Sequence, residues 1–268
     1  FGARLEGVQD ADFVRASDRV VAEIQGLGGE AVANYASVES GHEIVEQAMD
    51  SYGQIDVLIN TAGIVFPVPF AELTFEQWRK MQSVHVDGTF ACTQAAWKHM
   101  QAQNYGRIVM TASPVIYGGE MLAHYAAAKS AMRGFAGSLA IEGGPANIHC
   151  NVIVPTAASR MVTQALPEDF VAQLAIDPDN IAQLAVWLCH EDNPENGSMY
   201  EVGGGFVGKI RYAHSKGARI DTEAFSAETI EANKDDIENF DEPFFPADSV
   251  EVTARAGLDV SSLNPYAE

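Results

Sequence analysis

Hydrophobic and polar positions alternate between two periods along most of the chain. In "SDRVVAEIQGLGG" (17–29), Val20, Val21, Ile24 and Leu27 recur at helical spacing, and the closing glycines mark a helix stop. "AVANY" (31–35) reads as a short strand, and "GHEIVEQAMDSYG" (41–53) as a second amphipathic helix. "IDVLIN" (55–60) is a continuous apolar run of strand length, the pattern of a strand covered on both faces. A long helix is predicted over about 75–102, with Phe75, Trp78, Met81 and Val84 on one side. Then follow "RIVMTA" (107–112), an Ala-rich helix (122–142), "IHCNVIV" (148–154), a helix near 178–190 and "MYEV" (199–202). Strands separated by helices predict an α/β fold: a doubly wound, Rossmann-like parallel sheet with helices on both faces.

After about Arg211 the alternation stops. Residues 212–268 form an acidic stretch with "DEPFFP" in the middle and one helix expected near 227–240, so the reading is a core over 1–211 and a C-terminal tail or linker. The 268 residues carry a net charge of −21, a surface that repels nucleic acid and anionic membranes. No apolar run reaches the roughly 18 residues of a membrane-spanning helix. Cys92, Cys150 and Cys189 lack CxxC spacing and read as buried apolar side chains in a reducing compartment, so no metal site is expected and a cytoplasmic setting is.

In an open parallel sheet, ligands sit beyond the carboxyl ends of the strands. There the sequence places Asn60-Thr61-Ala62-Gly63, then Ser113, then Pro155 and Thr156. The helix after Ser113 carries Tyr125 and Lys129 four positions apart, on one helix face. "NTAG", the ordered set Ser113…Tyr125-x-x-x-Lys129 and the proline-led loop after "IHCNVIV" resemble the short-chain dehydrogenase/reductase family over roughly residues 1–211. "AAWKHMQAQNYGRIVMTAS", "NIHCNVIVPTAASRM" and "ENGSMYEVGGGFVGKIR" are similar to the (3R)-hydroxyacyl-CoA dehydrogenase unit of type-two peroxisomal multifunctional enzymes and their bacterial relatives.

That resemblance implies hydride transfer between NAD(H) and a secondary alcohol or ketone, a (3R)-3-hydroxyacyl-CoA in the first instance, with NADP left open. It implies Tyr125 as general acid/base, Lys129 as ribose ligand and tuner of the phenol, and Ser113 as hydrogen-bond partner of the substrate oxygen. Asn60, Ala62, Gly63, Pro155, Thr156 and Ala158 become cofactor contacts. A cation one turn away should lower the Tyr125 pKa from its ordinary value near 10. A homodimer or homotetramer built on the two long helices, and a peroxisomal setting in a eukaryote, are implied as well. The alternatives are a 3-oxoacyl or hydroxysteroid-type reductase, or a non-catalytic partner retained for oligomerisation.

The sequence also departs from the family. "HVDGTF" places His85 where most members have an asparagine that supports a relay water, and a near-neutral imidazole would suit proton traffic. Ser113 and Tyr125 are twelve positions apart where relatives typically have thirteen, and Pro114 biases Ser113 toward extended backbone. Ala36 replaces a common aspartate, and Val162 follows "SRM" where threonine is usual. No glycine-rich phosphate loop precedes residue 17, and "FGARLEGVQDADF" resembles the loop after a second strand. The expectation is a chain lacking its first βαβ unit, with "AVANY" unpaired and the inner edge of "IDVLIN" exposed.

Overall fold

The computed structural model describes residues 15–157, 178–255 and 257. Ala158, Val162 and the opening segment lie outside the described residues. Helices α1 (Ala16–Gly26) and α2 (Gly41–Tyr52) precede strand β1 (Val57–Asn60). Helices α3 (Phe75–Gln82) and α4 (Gly88–Gln103) lead to β2 (Gly106–Thr111). Helix α5 (Ala123–Gly143), β3 (Ile148–Pro155), α6 (Pro178–Cys189), β4 (Met199–Gly203) and β5 (Phe206–Ile210) follow. The sheet order is β1-β2-β3-β4-β5, and β1 through β4 are parallel.

Alternation along the strands buries both faces of the sheet centre. Val109 and Ile153 pack with Leu184, Leu188, Tyr200 and Val202, so α6 covers one face. Ile108, Met110, Cys150 and Val152, pointing the other way, are at most 1% exposed. Ala128, Met132, Ala136 and Ala140, each four residues on, are the buried side of α5; three of the four are small, which lets the helix lie close on β3.

Four expectations are corrected. First, "AVANY" is extended but not a strand. Its carbonyls at Ala31 and Ala33 are taken by the side-chain amides of Gln25 and Gln47, because no described strand lies beside it. Second, β1 is not covered on both faces. Val57 and Ile59 are 40% and 43% exposed, and the apolar stripe of α1 is also uncovered, with no buried residue in that helix. Third, the helix over 75–102 is interrupted by a π-turn, Ser83–Asp87. Finally, the sheet continues past "MYEV": Gly204 and Gly205 both have positive φ, 57° and 80°, and make the two-residue turn that returns the chain as β5.

The chain divides into two compact units, Phe1–Lys209 and Ile210–Glu268. Where one helix was expected, the second unit has Ala227–Ala232, capped by a reciprocal Ser226/Thr229 box, then Lys234–Ile237 and Ser249–Arg255. An isolated antiparallel bridge pairs His214 with Phe244 inside this unit.

Candidate active site

The parallel register brings Asn60, Thr111 and Pro155, the last residues of β1, β2 and β3, to one edge of the sheet. Ser113 follows β2 with φ −166° and ψ 155°, the extended geometry that Pro114 favours, and its hydroxyl accepts from Val115 N–H at 3.4 Å. Helix α5 presents Tyr125 and Lys129 to the same edge. Ser113 is close enough to the Tyr125 phenol for its hydroxyl to draw the phenol pKa down. Lys129 Nζ is 5.8 Å from the Tyr125 ring centroid and donates to the Thr111 carbonyl at 2.7 Å. Three sequence-predicted groups therefore converge. Thr111, the anchor that turns the ammonium into the site, was not among them; its position at the end of β2 is the only signal the sequence offered.

His85 joins them through the π-turn, whose extra residue redirects the ring toward the loop after β1. Its ring meets Tyr125 edge-on at 5.3 Å. Nε2 lies 2.8 Å from the Ile64 carbonyl and 3.1 Å from the Ile64 N–H, so it meets an acceptor and a donor of the same residue, and which role it takes is set by the tautomer. Its Nδ1 is buried and has no hydrogen-bond partner among the described residues. Gly63 makes the approach possible: a Cβ there would run into His85 Cε1 and lie 3.2 Å from Nδ1. The glycine of "NTAG" is thus required by the histidine behind it.

The electrostatics correct two expectations. The Tyr125 phenol is held above its ordinary value, chiefly by burial, and Lys129 is not what lowers it; Ser113 is. Burial also brings the Lys129 ammonium down to about 8. His85 is not near neutrality. Burial and the neighbouring Lys129 charge push it to about 4, so it is an uncharged acceptor at neutral pH.

The cofactor candidates are placed unevenly. Asn60 donates to Thr93 Oγ1 at 3.2 Å and Ala62 is half-buried beside it. Thr156 N–H donates to the Val202 carbonyl at 2.8 Å, and Gly203 leaves no room for a Cβ against Thr156, so this loop is pinned to β4. A further residue escaped the sequence reading. His124, adjacent to Tyr125, is fully buried against Phe66, its ring centroid 4.8 Å away. Its carbonyl accepts from Gln82 Nε2 at 3.0 Å, and the Met121 carbonyl from Val68 N–H at 2.9 Å, so the loops either side of Tyr125 are tied together.

Ser113, Tyr125 and Lys129 thus stand together at the carboxyl edge of a parallel sheet. Residues 13–169 match the short chain dehydrogenase family. The chain belongs to that family. The match is to a family of oxidoreductases. The chain is 50% identical over 206 residues to the peroxisomal multifunctional enzyme type 2 of Mus musculus, covering 76% of this chain and 28% of that one. The full-length peroxisomal multifunctional enzyme type 2 from Drosophila melanogaster shares the fold with a TM-score of 0.78 at 34% identity, over 94% of this chain and 44% of that one. A 7α-hydroxysteroid dehydrogenase complexed with NADH and 7-oxo glycochenodeoxycholic acid follows at a TM-score of 0.65 and 27% identity, over 71% and 80%. The chain spans less than half the length of either multifunctional enzyme. No described helix is long and apolar enough to cross a membrane.

Proposed function

We propose that this site oxidises (3R)-3-hydroxyacyl-CoA, or reduces the corresponding ketone, with NAD(H) as partner. The observation that carries the reading is the convergence of Ser113, Tyr125 and Lys129 on one sheet edge, Lys129 anchored on Thr111 and Ser113 acting on the phenol. The similarity to the peroxisomal multifunctional enzymes supports the acyl-CoA substrate and a peroxisomal setting, and the NADH-bound neighbour supports NAD.

The residues present fit the nicotinamide–ribose end of a dinucleotide, while no described residue supplies a glycine-rich turn for its pyrophosphate. Lys129 Nζ spends one donor on Thr111 and keeps others for ribose hydroxyls, and the Asn60–Gly63 turn and Thr156 flank it at the strand ends. When bound, the nicotinamide supplies the hydride acceptor or donor. Tyr125 takes the proton from the carbinol hydroxyl during oxidation and returns it during reduction. Ser113 donates to the substrate oxygen as charge develops there. Lys129 orients ribose and passes the proton outward. His85, uncharged at neutral pH, supports that relay only as a hydrogen-bonding group beside the phenol and does not itself take the proton. Assembly of two or four copies through α4 and α5 is part of the same proposal.

The test is NADH formation by the purified protein with the (3R) and (3S) enantiomers of 3-hydroxyacyl-CoA, with 3-hydroxysteroids as the competing class. Turnover confined to the (3R) thioesters supports the reading. Turnover of steroids alone, or of the (3S) form alone, overturns it.

A further inference from the structure

The chain has 37 acidic residues against 16 lysines and arginines, so a cluster of cations stands out in it. Three cations gather in the second unit. A cavity of about 410 Å³ is lined by Lys216, Arg219 and Arg255 together with His214, Gly217 and Val252, and no carboxylate lines it among the described residues. Arg219 and Arg255 make no ion pair with a described residue, and Lys216 has only a long contact to Asp236 at 4.0 Å.

Two of the three positive charges are fixed there by backbone. Arg255 Nη2 donates to the carbonyls of Ser215 and Lys216 at 2.9 and 2.7 Å, and Arg219 Nη2 donates to the Arg255 carbonyl at 2.8 Å. The Arg255 guanidinium also lies over the Phe244 ring, 4.9 Å from its centroid, and Phe244 is tied to His214 by paired backbone bonds. Neutral carbonyls orient these guanidinium groups without cancelling their charge. Nη1 and Nε of Arg255 are not engaged by a described residue, so these donors remain open for a ligand. Holding three like charges together disfavours the empty pocket, and an anion carrying several charges relieves that cost. Planar guanidinium forks suit phosphate oxygens, and preorganised donors lose little freedom on binding. The volume falls within the range of small-ligand sites.

We propose that this pocket binds phosphate groups, and specifically those of a nucleotide bearing more than one phosphate. The phosphate chemistry stands on the pocket alone. The choice of a nucleotide rests on the acyl-CoA reading above, since coenzyme A carries such groups.

The probe is adenosine 3′,5′-bisphosphate, titrated calorimetrically into the protein with NADH in excess to occupy any dinucleotide site, and inorganic phosphate is titrated in parallel. The expected result is binding that weakens with added salt and falls about ten- to a hundredfold in the Lys216→Gln/Arg219→Gln double variant. Lys216→Gln alone, at a side chain 62% exposed, gives the same direction without touching the fold. Unchanged thermal unfolding of both variants confirms that the loss is local. Inorganic phosphate binding as tightly as the bisphosphate, with the same sensitivity, keeps the phosphate site and overturns the nucleotide. Bisphosphate binding that neither variant alters overturns the whole proposal. The assay needs no turnover: an active (3R)-hydroxyacyl-CoA dehydrogenase without variant-sensitive binding sinks this site only. Variant-sensitive binding by a protein that oxidises no hydroxyacyl-CoA sinks the substrate reading only.

Discussion

Replacing Lys129 by methionine removes a cation that is only 5% exposed and has no carboxylate partner among the described residues. Burial lowers its pKa from 10.5 to about 8. Folding with the ammonium charged therefore costs about 3 kcal/mol at neutral pH, at roughly 1.4 kcal/mol per pH unit. Against that stands the bond to the Thr111 carbonyl, and stranding that buried acceptor costs about 1–3 kcal/mol. Methionine is of similar length and fills the space. Lys129→Met should thus be as stable as the parent or up to about 2 kcal/mol more stable, although most core substitutions destabilise. The pH dependence has a definite sign. Between pH 8 and 10.5 the unfolded chain holds the lysine proton and the folded one does not, so this lysine makes the parent gain stability with rising pH, a gain the variant lacks. Urea unfolding of both proteins without cofactor, at pH 7 and pH 9.5, measures the difference. A variant less stable by more than about 2 kcal/mol at pH 7, with an unchanged m value, would refute the reasoning, because it would mean that the folded site stabilises the charge. Turnover should be lost in either case.

Three further outcomes follow from the same contacts. His85 is held to about 4 from 6.5, so the unfolded chain binds the extra proton between those values and stability falls as pH falls through them, by up to about 3 kcal/mol. His85→Gln should flatten urea midpoints measured from pH 7 to 4.5, and an unchanged slope contradicts the assignment. Gly63→Ala drives a methyl into the His85 ring and should cost about 1–3 kcal/mol together with most turnover; a fully stable, active variant would show that the ring moves freely. Ser113→Ala removes the group that lowers the Tyr125 phenol, so the alkaline limb of the oxidation rate should move to higher pH and kcat should drop about a hundredfold. A profile that keeps its shape would remove Ser113 from the phenol's surroundings.

Much of the fold was legible because it rests on local period. The α5 stripe and the buried runs of β2 and β3 need no tertiary information to be read. Ser113, Tyr125 and Lys129 were legible as a set because parallel strands deliver their ends to one edge. What failed depended on neighbours. "AVANY" has strand-like residues, yet a strand needs a partner ladder, and glutamine amides took its carbonyls instead. The apolar run of β1 says nothing of which edge is covered. The π-turn differs from α-helix by one hydrogen-bond step and leaves no periodic trace over five residues. The β4–β5 turn was readable in "GGG", since paired positive-φ glycines between apolar runs signal a hairpin. The direction of the Tyr125 shift was misjudged for a different reason. Helical spacing gives the distance between phenol and ammonium but not the burial that acts on both. The cationic pocket of the second unit joins residues some 40 positions apart, beyond any local pattern.

The central claim is that the Tyr125 hydroxyl carries the proton that accompanies hydride transfer. Its most direct measurement compares parent and Tyr125→Phe proteins in single-turnover NADH formation from a (3R)-3-hydroxyacyl-CoA, with NADH affinity read from fluorescence. The account predicts a loss of at least about a hundredfold in the chemical step with NADH affinity within about twofold of the parent. A phenylalanine variant that forms NADH at near-parental rate would contradict it.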